Sequence, residues 1–213
     1  MALILETVTQ TPLGFDALEV GDIIRFGNYD WRVLSVYEDD TALIITENVI
    51  DKRPFHSVWE DVTWETSDIR AYLNSTFLDA FTPGEQRRIL RSDLHTPDNI
   101  GFLTRGGNDT TDYVFLLSIE EVVKYFGGLG QPIPFNPGAY CRVIYTKISD
   151  EYNSARVAFD EDGVAYLWLL RSSGFDYDFT SFVELDGVIN LSGGMVGGGS
   201  GGVRPALLLN IAS

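Results

Sequence analysis

The sequence predicts an α+β protein built on twisted antiparallel sheets with two or three helices. Three observations predict it. Short runs rich in β-branched and aromatic residues occupy both ends of the chain, helical periodicity is confined to the middle, and the two do not alternate as parallel βαβ units require.

Residues 1–18 carry weak patterning with breakers at Pro12 and Gly14 and read as a lead-in arm, leaving 19–213 as one domain. Asp22–Phe26 and Trp31–Tyr37 are apolar, aromatic runs separated by a Gly27-Asn28 turn, which is a hairpin signal. An acidic turn, Glu38 to Asp40, leads into Thr41–Thr46, so three strands form a meander. Ile69, Leu73 and Phe77 recur at helical spacing behind a cap at Thr66 or Ser67. Thr82, Pro83 and Glu85 set a second helix start, expected to run on through Leu90. Residues 92–112 are polar and turn-rich, and Tyr113–Leu117 reads as a buried strand. Ser118 with Glu121 makes a capping box for a helix over Ile119–Phe126, closed by Gly127-Gly128.

Pro132, Pro134 and Pro137 force extended or turn geometry on the next stretch. Beyond it, Arg156–Phe159 and Val164–Leu170 are expected to pair as a hairpin around Asp160–Gly163. Phe182–Leu185 and Val188–Leu191 are expected to do so around Asp186-Gly187. Gly193–Gly202, with seven glycines in ten residues, reads as a flexible loop. Val203–Ile211 reads as a final strand interrupted by Pro205.

Composition restricts the chemistry. At 45% hydrophobic and 22% charged, the 213 residues are ordinary for a globular chain. Fifteen basic against 31 acidic residues give a net charge of −16, which repels a phosphate backbone or an anionic bilayer, so no nucleic-acid partner is expected. The longest apolar run, Val164–Leu170, is far short of a bilayer span, so no membrane insertion is expected either. The first residues carry no basic, signal-like region, which fits a cytoplasmic protein or a fragment of a bacterial surface protein.

Several blocks in a fixed order resemble an uncharacterised family of bacterial domains: Thr63–Asn74, Gly107–Ser118, and a tail of Trp168–Gly174, Asp186-Gly187 and Gly202–Leu207. The tail reads WLxRS…DG…GVRPAL, with Leu167 where an aromatic is frequent and Ser173 where a proline is. The family in turn resembles the superfold of formylglycine-generating (sulfatase-modifying) enzymes and C-type lectins. The resemblance implies a C-type-lectin-like, sulfatase-modifying-factor-like α+β fold and no activity, so function rests on the site. A copper oxidase of that superfold needs two thiols, and this chain has only Cys141. Its iron relatives use three histidines, and His56 and His95 are the two present. Asp160–Gly163 lacks the flanking ligands of an EF-hand, and the glycine-rich segment lacks the Gly-Lys-Ser/Thr ending of a phosphate loop.

The expectation is therefore a non-catalytic binding module, with a carbohydrate or protein ligand held by C-terminal loops. No catalytic residue and no metal ligand is assigned. The candidate contacts are Asp176, Tyr177, Asp178, Phe179, Asn190, Ser192, Met195 and Ser200. Tyr177 and Phe179 supply flat faces, and Asp176 and Asp178 supply acceptors. No cofactor is expected, calcium on those carboxylates being the one exception the residue types allow. The competing class is an enzyme, a carboxylate-dependent hydrolase or a degenerate oxidase relative. Trp168, Arg171, Gly187, Arg204 and Pro205 are assigned structural roles. The two arginines read as ion pairs or carbonyl clamps whose removal lowers thermal stability more than binding.

Overall fold

A computed structural model of the chain describes residues 18–127 and 146–212. The expected arm over 1–18, all but Leu18, and the Pro132, Pro134, Pro137 and Cys141 segment lie outside the described residues. The architecture is α+β, with two principal sheets, two small strand pairs and four short α-helices among the described residues. None of these helices is long and apolar enough to cross a membrane.

The first sheet orders Ile23–Phe26, Tyr29–Tyr37, Thr41–Thr46, Ala206–Asn210 and Ile89–Leu90 side by side, with Val114–Phe115 also pairing Ala206–Asn210. All these pairings are antiparallel. Thr41–Thr46 is buried along its whole length, because it lies inside the sheet with both faces covered. The second sheet orders Asp51–Arg53, Gly201–Val203, Trp168–Ser173, Phe179–Val183, Ile189–Met195 and Lys147–Ile148. Its one parallel contact is Trp168 with Gly202; its other pairings are antiparallel.

Two short connections join the two sheets directly, through 46–51 and through 203–206. The second passage corrects the expected single strand over Val203–Ile211. Pro205 has no N–H for a ladder and holds Arg204 extended, so the run divides there into two strands of different sheets. The passages are sewn together: Thr46 N–H donates to the Pro205 carbonyl at 3.0 Å and Ile50 N–H to that of Val203 at 2.9 Å. Arg204 adds Nε to the Thr46 carbonyl at 2.9 Å and Nη2 to the Glu47 carbonyl at 3.0 Å.

Other expectations change as well. The helix begun at Thr82 stops at Gln86, and Ile89–Leu90 instead covers an edge of Ala206–Asn210. Arg156 ends a single helical turn, Asn153–Arg156, so the hairpin shrinks to Ala158–Phe159 with Ala165–Tyr166, and Trp168–Ser173 joins the second sheet. The glycine-rich run is half strand: Gly193 and Gly194 lie in Ile189–Met195 and Gly201 and Gly202 in Gly201–Val203, with a turn over 196–200 between them. The polar 92–112 stretch likewise closes on itself through Ser92–Leu94 with Thr110–Asp112. The unexpected single turn Asn153–Arg156 makes a fourth α-helix among the described residues, beside the expected starts at Ser67, Thr82 and Ser118.

Local chemistry sets the remaining elements. Ser67 caps Asp68–Tyr72, and the capping boxes Thr82/Glu85 and Ser118/Glu121 are both formed. Ile69, Leu73 and Phe77 are buried as one stripe, the chain widening into a π-helical turn over Leu73–Phe77. Asp186-Gly187 turns the last hairpin with Gly187 at φ +83°, and a Cβ there would lie 1.7 Å from the Asn153 carbonyl oxygen. Only glycine satisfies both demands.

Trp168 is fully buried and donates its indole N–H to the Arg156 carbonyl at 2.9 Å. Arg171 is equally buried, with its fork on the Leu116 carbonyl at 2.8 Å, the His95 carbonyl at 3.0 Å and both oxygens of Glu121. Glu121 thus closes the capping box and neutralises Arg171 at once. Arg171→Ala leaves that carboxylate and two carbonyls facing a void, so a loss of about 3–5 kcal/mol is expected. Urea unfolding checks it, and an unchanged midpoint overturns the structural reading.

Candidate recognition face

Residues 175–179 form a tight turn off Trp168–Ser173. Phe175 N–H donates to the Ser192 carbonyl at 2.9 Å, and Phe179 N–H to the Asp176 carbonyl at 3.1 Å. Phe175 packs on Phe179 at 4.3 Å and edge-on to Phe102 at 6.2 Å, so these rings serve the turn itself. Asp176 caps the turn through Tyr177 N–H at 2.9 Å. Asn190 is engaged at both ends of its amide, with Glu184 at 2.8 Å and Gly193 N–H at 3.0 Å. Ser192 is buried. Ser200 is exposed, its carbonyl accepting from the Tyr166 hydroxyl at 3.1 Å. Of the eight expected contact residues, Phe179, Asn190 and Ser192 are spent on holding the loops.

Tyr177, Asp178 and Met195 are brought together with residues 56–62, a segment that holds none of the expected contact residues. Val62 N–H donates to the Tyr177 carbonyl at 3.1 Å, His56 N–H to that of Val196 at 3.1 Å, and Val196 N–H to that of Asp178 at 2.9 Å. A Cβ on Gly197 would lie 2.9 Å from the Trp59 nitrogen, so glycine lets the 195–199 turn press against Val58 and Trp59. The result is an apolar surface in which Trp59 is 66% exposed, Val58 56%, Met195 47% and Tyr177 39%. Trp59 is nevertheless fixed: its indole N–H donates to Asp178 Oδ2 at 2.5 Å. The other three tryptophans, Trp31, Trp64 and Trp168, are fully buried. The available signal was a tryptophan in a stretch with neither helical nor strand periodicity.

The 56–62 segment is anchored on the helix behind it. Asp68 accepts from Ser57 N–H at 2.8 Å, and His56 takes the Asp68 N–H on Nδ1 at 3.3 Å and meets Glu60 through Nε2 at 3.0 Å. The Ser57 hydroxyl and amide, followed by the His56 ring, hold the Asp68 carboxyl below its ordinary value. Asp178 Oδ2 accepts from the Trp59 indole N–H, and no group of three or more His, Cys, Asp or Glu among the described residues is arranged to hold a metal. His95, the second histidine, contacts Asp109 at 2.8 Å on the surface elsewhere. Arg171, Gly187, Arg204, Trp168 and Pro205 lie in the frame described above and not on this face.

The fold class is a mixed α+β frame presenting an ordered aromatic surface. The chain matches the Domain of unknown function (DUF6273) over residues 39–211 and belongs to that family. No curated protein and no solved structure matches it.

Two outcomes follow from this geometry. Asp178→Ala should speed hydrogen exchange of the Trp59 indole N–H in NMR while changing stability by less than about 1.5 kcal/mol, because one hydrogen bond at the surface is lost. An unchanged exchange rate would show that the bond does not order the ring. Asp68 has a folded pKa below its unfolded one, so its contribution is present above the unfolded pKa and is lost as pH falls through the folded value. Acid titration below about pH 4 should release the Ser57 amide, and Asp68→Ala, which removes the acceptor, should show the released signal already at neutral pH.

Proposed function

We propose that the chain is a non-catalytic binding module of C-type-lectin-like, sulfatase-modifying-factor-like architecture. It takes a carbohydrate or protein ligand on the face of Val58, Trp59, Tyr177 and Met195. The supporting observation is Trp59, whose ring is two-thirds exposed and yet held in place through its N–H by Asp178. A large apolar ring in water is costly to leave uncovered, and a surface cluster of such groups is where partners bind. Fixing the ring beforehand lowers the entropy lost on binding. A flat aromatic face stacks equally on the apolar face of a sugar ring or on an apolar side chain. The neighbouring Asp176, Glu60 and Asp61 supply acceptors for hydroxyl or cationic groups at the rim.

A glycan array and a peptide array, each probed with and without calcium, test this reading. Hits should weaken at least about 10-fold in Trp59→Ala, which removes an aromatic anchor worth 2 kcal/mol or more. The thermal midpoint should hold, since the ring makes little buried contact. Hits that survive the substitution, or turnover abolished by a single carboxylate variant, overturn it.

A further inference from the structure

Three arginines, Arg156, Arg171 and Arg204, are almost completely buried. Two of them have a carboxylate of their own: Arg156 meets Asp150 at 2.8 Å, and Arg171 is paired with Glu121. Arg204 is different. Its Nε and Nη2 donate to backbone carbonyls, its Nη1 is buried with no hydrogen-bond partner, and among the described residues no carboxylate pairs with it, whereas the unpartnered Nε of Arg156 and of Arg171 belongs to a guanidinium already neutralised. The rings of Phe126 and Trp168 lie 5.3 and 5.0 Å from the guanidinium. Glu47, whose carbonyl Arg204 uses, has its carboxylate engaged by Arg32 at 2.7 and 2.5 Å. Burial lowers the Arg204 pKa only to about 10, so the group stays cationic at neutral pH. Buried charges are normally paired, because desolvation is not recovered otherwise.

Arg204 also lines a cavity of 340 Å³, within the size range of small-molecule sites. Leu34, Phe126 and Val157 contribute apolar wall, and Arg32, Glu47 and Arg204 are its charged groups. Two cations against one anion leave this wall at +1, in a chain whose net charge is −16. A single spare planar cation beside apolar surface matches a monoanion with an apolar body better than it matches a phosphate dianion.

We propose that this cavity binds a small organic carboxylate, whose charge neutralises Arg204 as Asp150 neutralises Arg156 and Glu121 neutralises Arg171. Nη1 is shielded from solvent, so seating the carboxylate requires a small shift of the cavity wall, after which the pair is formed in a dry setting. This site is separate from the tryptophan face and does not depend on its function.

The full chain titrated with benzoate, acetate and inorganic phosphate, followed by amide shifts in NMR, provides the test. Benzoate is expected to move the amides of Phe126, Ala155 and Val157 saturably. Ala155→Trp, an exposed position on the cavity wall that leaves the Arg204 contacts intact, should raise the benzoate Kd at least about 10-fold. Arg204→Gln should abolish the shifts if it folds, and where it does not fold the Ala155→Trp comparison decides alone. Phosphate binding without benzoate binding, shifts that never saturate, or shifts indifferent to Ala155→Trp each overturn the proposal.

Discussion

The two short, direct passages between the sheets are the constraint on which the rest of the structure depends. At 46–51 and 203–206 the chain leaves one sheet and enters the other, and both passages are fastened by the same side chain. A backbone carbonyl at such a crossing has left one ladder and not yet entered the next, so it needs a donor from elsewhere. Arg204 supplies two N–H groups to consecutive carbonyls, each charge-assisted bond worth about 1.5–3 kcal/mol. Pro205 beside it removes the competing amide and fixes the approach. The relative placement of the sheets, and hence of the loops that end on them, follows from this fastening.

Much of the local structure was legible because its causes are local. The Gly27-Asn28 hairpin, the caps at Ser67, Thr82 and Ser118, and the Asp186-Gly187 turn all depend on residues a few positions apart. The failures share the opposite property. Ile89–Leu90 is a strand only because Leu208–Leu209 leaves an edge to cover, and nothing in two apolar residues after a helix announces that. The split at Pro205 was visible as an interruption, but the sequence does not say that the halves belong to different sheets. The parallel contact of Trp168 with Gly202 has a separation in sequence that no periodicity reports.

The same distinction governs the candidate face. Tyr177, Asp178 and Met195 were within reach of a reading based on C-terminal loops, since they sit where hairpin ends are expected. Val58 and Trp59 were not, because their position comes from bonds to residues over a hundred positions away, Asp178 and Val196. Phe179 and Asn190 looked like contact residues for the reason that makes them structural. A loop rich in glycine needs side chains to hold it, and aromatic packing and an amide engaged at both ends do so.

Glycine content here marks close approach rather than looseness. Gly197 lets one turn lie against the backbone of Val58 and Trp59, and Gly201 and Gly202 let a strand slip between Asp51–Arg53 and Trp168–Ser173. Bulkier residues would separate these layers, and the exposed tryptophan would lose the acceptor that orients it. The frame therefore places hydrogen-bonded backbone directly beneath an apolar surface, through the bonds of His56, Val62 and Val196. Such a surface suits recognition by shape, in which the affinity gained depends on how little remains to be ordered when a partner arrives.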